Sequence, residues 1–139
     1  MALELVPLCD VELTLKAPIA VGSGPSGMRL IIELADVKVA GERLKGQLKG
    51  TAAADWLAVV GTVGTLDVRF AMETDDGATV FVQYRGRTDV TKGPGSAPVY
   101  VTPTFETGDD RYAWLNGIQA AGKGTITGSD LHYEWYELR

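Results

Sequence analysis

The chain has 139 residues, of which 45% are hydrophobic and 22% charged, and this suits one soluble domain with a sizeable core. Its net charge of −5 and the lack of any Lys/Arg run exclude a surface that follows nucleic-acid phosphates. The single cysteine, Cys9, excludes an intramolecular disulfide and a thiolate metal centre, and no apolar run approaches the roughly 20 residues of a membrane helix. Because the first residues lack the features of a secretory signal, we expect a cytoplasmic protein with neither nucleic-acid nor membrane partners.

The chain predicts short strands almost throughout, because runs of alternating polar and apolar residues recur between glycine-containing turns. The predicted strands are 11–16, 28–34, 37–39, 43–49, 55–60, 66–74, 78–85, 99–104, 112–121 and 131–138. The segments predicted as turns, loops or irregular chain are 20–27, 51–54, 61–64, 87–97, 107–111 and 122–129, with 87–97 the best candidate for a mobile lid or surface loop. Roughly eight to ten strands with no long helix predict an all-β fold, a single antiparallel β-barrel over residues 1–139, with a sandwich as the related alternative.

The clearest single element is a β-hairpin over residues 66–85, whose loop is Asp75-Asp76-Gly77. A three-residue loop pairs apolar residues at every rung, whereas a two-residue loop would place them against polar ones. The apolar pairs are Val68 with Tyr84, Phe70 with Val82, and Met72 with Val80; the pairs on the opposite face are Asp67 with Arg85, Arg69 with Gln83, and Glu73 with Thr79. This register puts Gly77 at the left-handed position of the loop, and it leaves open whether the polar face lines a lumen or meets solvent.

Several familiar motifs fail in this context. The stretch 22–27 has the spacing G-x-G-x-x-G, but it holds a proline and runs into a strand pattern rather than a helix. The stretch 117–123 approximates a phosphate-binding loop without the Ser or Thr that would hold magnesium. His132 is the only histidine, so a catalytic triad or histidine metal site has at most one candidate. We therefore expect no cofactor and no metal.

The residues left for chemistry are acidic, guanidinium and aromatic groups. The catalytic candidates are Asp55, Arg69, Arg29 and Tyr84, and the candidates for substrate binding are Trp56, Gln83, Tyr112, Trp114 and Asn116. A carboxyl group beside an apolar wall has a raised pKa and can abstract a proton near neutrality, while guanidinium groups in a lumen would bind a carboxylate or enolate. The alternatives are a strand-start cap for Asp55, a solvent-facing sheet surface for both arginines, and core packing for the aromatic residues.

An ordered set of short motifs resembles a known family. The motifs are Gly27-x-Arg29, the Gly46 and Gly50 spacing that leads to Ala54-Asp55-Trp56, Leu66-Asp67-x-Arg69-Phe70, Thr74 to Ala78, Phe105-Glu106-Thr107 and Tyr112-x-Trp114-Leu115-Asn116. Together they cover nearly the whole chain and are similar to the small-barrel family catalogued as domain of unknown function 3237. The resemblance implies a lipocalin-like or allene-oxide-cyclase-like barrel, with recurring polar residues at Arg29, Asp55, Arg69 and Asn116.

Two functions are compatible with these residues. The first is a cofactor-independent lyase, isomerase or cyclase that acts on a mostly apolar carbonyl compound, with Asp55 moving a proton and Arg29 and Arg69 stabilising negative charge on oxygen. The second is a non-catalytic barrel that binds or carries a small apolar carbonyl or carboxylate ligand. A barrel filled by its own side chains is a third and simpler interpretation. Homo-oligomerisation is compatible with all three.

Overall fold

The computed structural model describes all 139 residues and contains ten strands and one short helix. The strands are β1 (Leu5–Leu15), β2 (Ile19–Gly24), β3 (Gly27–Ala40), β4 (Gly46–Val60), β5 (Val63–Thr74), β6 (Thr79–Asp89), β7 (Val99–Val101), β8 (Thr104–Glu106), β9 (Ala120–Thr127) and β10 (Asp130–Leu138). A 3-10 helix, Asp110–Gly117, lies between β8 and β9. No helix in the structure is both long enough and apolar enough to cross a membrane.

The strands form a closed antiparallel barrel, as the sequence predicts. Hydrogen-bonded neighbours follow the order β1-β10-β9-β7-β6-β5-β4-β3, and β1 also pairs with β3, so the eight strands close into a ring. The two other strands are additions to this ring: β8 pairs with β6, and β2 pairs with β3. Because β1 and β2 pair with successive parts of β3, β2 extends the wall beyond the point where β1 ends.

The hairpin of β5 and β6 has the predicted three-residue loop and the predicted register. Val68 pairs with Tyr84 and Met72 with Val80, while Arg69 pairs with Gln83 on the opposite face. Gly77 has a φ of +91°, a conformation that only glycine adopts readily. The core lies inside the barrel, since the apolar partners of this hairpin are buried.

The predictions for two segments near the C-terminus were wrong. Residues 112–121, predicted as a strand, mostly form the 3-10 helix, because Asp109 caps its start and Asn116 bonds both backbone groups of Thr107. Residues 122–129, predicted as a turn, are mostly β9. Their glycines serve packing: a Cβ on Gly122 would lie 2.4 Å from the Trp135 ring, and one on Gly124 would lie 2.6 Å from the Tyr133 ring.

Other boundaries also moved. Most of 20–27 is β2 rather than a loop, and 51–54 lies inside the long strand β4. Pairing of β4 with both of its neighbours is shifted between Lys49 and Ala54, so this segment bulges without leaving the sheet. The predicted strand 99–104 is divided into β7 and β8 at Pro103, which cannot donate to a ladder.

The two ends of the barrel are closed differently. The 3-10 helix covers the end beside the β5–β6 loop, where Arg111 Nη1 and Tyr112 Oη donate hydrogen bonds to Asp76 and Leu115 is completely buried. At the opposite end, the connection between β6 and β7 crosses the opening, and Val90, Pro94 and Gly95 from it line the interior. The interior beneath this connection is where the structure leaves space.

Candidate active site

A small cavity of about 100 Å³ lies inside the barrel at the end covered by the β6–β7 connection. Most of its lining residues are apolar, and its titratable side chains are Asp55, Tyr84 and Tyr133. Ligand pockets commonly enclose roughly 300–1,000 Å³, so this cavity admits only a small molecule unless the connection moves outward. A larger cleft of about 570 Å³ surrounds the β1 bulge at Pro7 and Cys9, but it shares no lining residue with the cavity.

Asp55 is the only carboxyl group that lines this cavity. Its side chain is inside the barrel and only 7% of the residue is exposed. One carboxylate oxygen, Oδ1, accepts a hydrogen bond of 3.0 Å from the backbone amide of Asp67 on β5. This bond fixes the carboxyl group against the wall and leaves Oδ2 available to a ligand.

The surroundings of Asp55 favour its protonated form. Burial raises the pKa of Asp55 to about 6, and the negative charge of Asp67 adds to the rise. The amide hydrogen bond and the positive charge of Arg29 act in the opposite direction but do not cancel the effect of burial. A carboxyl group with a pKa near 6 can give and take a proton close to neutral pH.

Two tyrosines stand beside Asp55. Tyr84 and Tyr133 are 2% and 0% exposed, and their rings meet edge to face with centroids 5.6 Å apart. Burial raises the pKa of both hydroxyl groups, and the charge of Asp55 contributes to each rise. The Tyr133 hydroxyl lies near that of Tyr84, yet no hydrogen bond of acceptable geometry joins them, and Tyr133 Oη has no partner in the protein.

The sequence candidates Asp55 and Tyr84 are therefore brought together, and Tyr133 is a neighbour that sequence reasoning missed. Asp55 pairs with Val68, and Val68 pairs with Tyr84, so the two candidates belong to one row across β4, β5 and β6. Tyr133 reaches the row from β10, where it pairs with Gly124. A glycine opposite a tyrosine is the signal that could have identified it, because the missing side chain makes room for the ring.

The two candidate arginines lie on the outer wall, which corrects the expectation that they line a lumen. Arg69 is exposed, and its guanidinium group stacks on the Trp56 ring at 4.5 Å. Arg29 donates a hydrogen bond of 2.7 Å from Nη1 to the backbone carbonyl of Trp56. Trp56 and Gln83 share this outer face, because side chains alternate along a strand and their neighbours Asp55 and Tyr84 point inward.

The remaining candidates belong to the 3-10 helix at the far end of the barrel. Tyr112 Oη donates to Asp76 at 2.9 Å, and the Trp114 ring lies 5.1 Å from the guanidinium carbon of Arg43. Asn116 bridges the amide and carbonyl groups of Thr107. None of these three lines the cavity that Asp55 occupies, so they hold the helix in place instead of contacting a ligand there.

Neither Cys9 nor His132 lines the cavity. Burial raises the pKa of Cys9 to about 12, which keeps the thiol protonated. His132 is outside the barrel, with Nδ1 3.5 Å from a carboxylate oxygen of Glu12. Of the carboxyl, thiol and imidazole groups, only that of Asp55 lines the cavity.

The fold and the sequence both have counterparts. The chain matches the family described as a protein of unknown function, DUF3237, over residues 3–138. A UPF0311 protein from Rhodopseudomonas palustris is 30% identical over 102 residues, which cover 65% of this chain and 67% of that protein. A β-barrel-like protein from Acinetobacter baumannii AYE has a crystal structure with a TM-score of 0.88 and 29% identity, covering 100% of this chain and 98% of its own.

More distant structures share the fold. A protein with unknown function from Clostridium acetobutylicum has a TM-score of 0.90 at 21% identity, with 99% of this chain and 100% of that chain covered. An enzyme from Penicillium herquei has a TM-score of 0.67 at 23% identity, with 98% and 93% covered. At these identities the likeness concerns the barrel alone, whereas the family match spans nearly every residue. The chain belongs to the DUF3237 family.

Proposed function

We propose that this barrel is a cofactor-independent enzyme, a lyase, isomerase or cyclase, which acts by acid–base chemistry on a small, mostly apolar carbonyl compound. The observation that carries the proposal is the single carboxyl group of Asp55 in a mostly apolar cavity, with one oxygen anchored and one free. The description of one protein of this fold, from Penicillium herquei, as an enzyme agrees with it.

The chemistry follows from the position of that carboxyl group. Ionised Asp55 takes a proton from the carbon next to the substrate carbonyl, so that the C–H electron pair becomes the enolate and the proton resides on Asp55. Protonated Asp55 then returns the proton to carbon, gives it to a β-substituent as the enolate expels that group, or gives it to the group that the enolate attacks within the molecule. Positioned proton transfer of this kind contributes typically 10²–10⁴-fold to a rate, most effectively when the pKa of the base is near the working pH.

Deuterium exchange into cyclohexanone tests the base without knowledge of the natural substrate. In D2O, proton abstraction by Asp55 followed by return of a deuteron labels the α-carbons, and mass spectrometry counts the label. We expect exchange to increase as the pH passes through about 6, where Asp55 ionises. Asp55→Asn should slow it by about 10²–10⁴-fold.

The matched control is Glu33→Gln, which removes a carboxyl group from the exposed outer face of β3 and leaves the cavity intact. Its exchange rate should equal that of the unaltered protein. Equal rates for the protein and its Asp55→Asn variant would contradict the proposal.

A carrier barrel is the second candidate, and the apolar lining of the cavity favours it. Such a barrel would bind an apolar ketone without changing it. Thermal stabilisation by hydrophobic ketones, with no label and no product in the same samples, would support the carrier instead of the enzyme.

A further inference from the structure

Two buried side-chain polar atoms have no hydrogen-bond partner, Tyr133 Oη and Trp135 Nε1, and of these two residues only Tyr133 lines the cavity. The residue is 0% exposed, and Oη has no hydrogen-bond partner in the protein. A buried hydroxyl without a partner destabilises the folded state, because it has lost its hydrogen bonds to water. A phenylalanine would fill the same space without that cost.

The position of this hydroxyl is fixed by its surroundings. The Tyr133 ring packs against β9 over Gly124, where a Cβ would approach ring atoms to 2.6 Å. The edge of the Tyr84 ring meets it on one side, and Trp135 lies 5.9 Å away on another. Tyr133 therefore cannot turn its hydroxyl toward solvent, and the acceptors within its reach are the neighbouring Tyr84 hydroxyl and a molecule in the cavity.

We infer that Tyr133, with Tyr84 beside it, donates a hydrogen bond to the oxygen of an uncharged carbonyl ligand, and that the cavity rejects carboxylates. This inference rests on the proposed function in one respect, because it uses the same cavity and the same Asp55. In this inference the two tyrosine hydroxyl groups, and not the arginines, stabilise negative charge on the ligand oxygen, because both guanidinium groups lie outside the barrel.

The charges around the cavity determine which ligand is accepted. No Lys, Arg or His side chain lines it, and the one ionisable carboxyl group, Asp55, is negative above its pKa. A bound carboxylate would lose its hydration without gaining a cation and would be repelled by Asp55. A ketone or ester oxygen loses far less on burial, and a phenolic O–H restores the hydrogen bond that it gives up.

Two probes of equal heavy-atom count test this choice. Cyclohexanone and cyclobutanecarboxylate are titrated at pH 8 into ¹⁵N-labelled protein, and the amide shifts of cavity residues give each Kd. We expect cyclohexanone to bind at least tenfold more tightly than cyclobutanecarboxylate. We also expect Asp55→Asn to narrow this difference, because it removes the repulsion.

Tyr133→Phe isolates the hydroxyl, with Tyr100→Phe as a control because Tyr100 is exposed on the outside. Tyr133→Phe should raise the Kd of cyclohexanone about fivefold and leave the Tm unchanged or raised. Tyr100→Phe should leave the Kd of cyclohexanone unchanged. Equal affinity for the two probes, no binding of either, an unchanged Kd in Tyr133→Phe, or a lower Tm would each overturn the inference.

These measurements separate the inference from the proposed function. If cyclohexanone binds more tightly as expected but α-carbon exchange has the same rate in Asp55→Asn, the proposed enzyme activity is refuted and the preference for uncharged carbonyl ligands stands. Exchange that depends on Asp55, together with a Tyr133→Phe variant of unchanged affinity, would refute only the role of Tyr133.

Discussion

The buried carboxyl group of Asp55 predicts a dependence of stability on pH that is opposite to the usual behaviour of an aspartate. Its pKa in the folded barrel is about 6, compared with 3.8 when unperturbed. The folded state therefore holds a proton that the unfolded chain releases between these two values. Stability from this group is fully present below pH 3.8, decreases as the pH rises to about 6, and is lost above it.

The size of the effect follows from the same two values. One pKa unit corresponds to 1.36 kcal/mol, so ionising Asp55 in the folded state lowers the free energy of unfolding by about 3 kcal/mol at pH 8. Asparagine keeps an oxygen for the Asp67 amide and cannot ionise. We expect Asp55→Asn to be more stable than the unaltered protein at pH 8, by up to about 3 kcal/mol, and to lose that advantage toward pH 4.

Urea unfolding at pH 4, 5, 6, 7 and 8 provides the measurement, and the difference between the two proteins cancels the titration of all other groups. Asp76→Asn is a control of opposite sign, because hydrogen bonds from Thr74 and Tyr112 lower the pKa of Asp76. The Asp76→Asn variant should have a lower free energy of unfolding than the unaltered protein at neutral pH, and this difference should disappear as the pH falls. A difference between the Asp55→Asn and unaltered proteins that stays constant from pH 4 to 8 would refute the reasoning.

Three further changes test other parts of the molecule. Gly124→Ala places a Cβ 2.6 Å from the Tyr133 ring and should lower the free energy of unfolding, measured in urea, by about 1–3 kcal/mol. The control is Gly117→Ala, whose Cβ would have no atom within 4 Å, and it should change the free energy of unfolding far less. Arg69→Ala should leave the Kd of cyclohexanone unchanged and lower the free energy of unfolding by about 0.5–1 kcal/mol, because it removes only the stacking on Trp56 at the outer wall. A weaker affinity for cyclohexanone would show that Arg69 contributes to the site. Leu115→Ala removes the completely buried side chain of the 3-10 helix and should lower the free energy of unfolding by about 2–5 kcal/mol, and a smaller loss would show that the helix does not close that end.

The barrel and its central hairpin could be predicted because the signals are local. Alternation along 66–85 admits one register that places Val68, Phe70 and Met72 opposite Tyr84, Val82 and Val80 on a single buried face, and the structure has that register. The 3-10 helix could not be predicted in this way, since the alternation of residues 112–121 also fits a strand. What decides it is the contact of Tyr112 and Asn116 with Asp76 and Thr107, which no short window contains.

The candidate site was predicted in part for a related reason. Alternation assigns Asp55 and Tyr84 to one face and Arg69 and Gln83 to the other, but it does not say which face is inside when both carry polar groups. Burial of Val68 and its partners settles that the arginine faces outward. Tyr133 was missed because its importance depends on Gly124 in a strand that the glycine pattern had suggested was a turn.

The features that destabilise the folded barrel are unevenly distributed, and their location bears on function. Outside the barrel interior, ion pairs join Arg43 with Glu137, Lys49 with Glu73, and Arg111 with Asp109. Inside, a carboxyl group with a raised pKa, a hydroxyl without a partner and an unfilled cavity occur together. Hydrophobic side chains would remove all three at a gain in stability, and strain or frustration concentrated at one place is the usual sign of a site that binds or reacts. The core of this barrel is therefore filled only in part: the Trp135 ring packs against Tyr84 and Phe105, whereas the end beneath the β6–β7 connection holds the cavity that Asp55 lines.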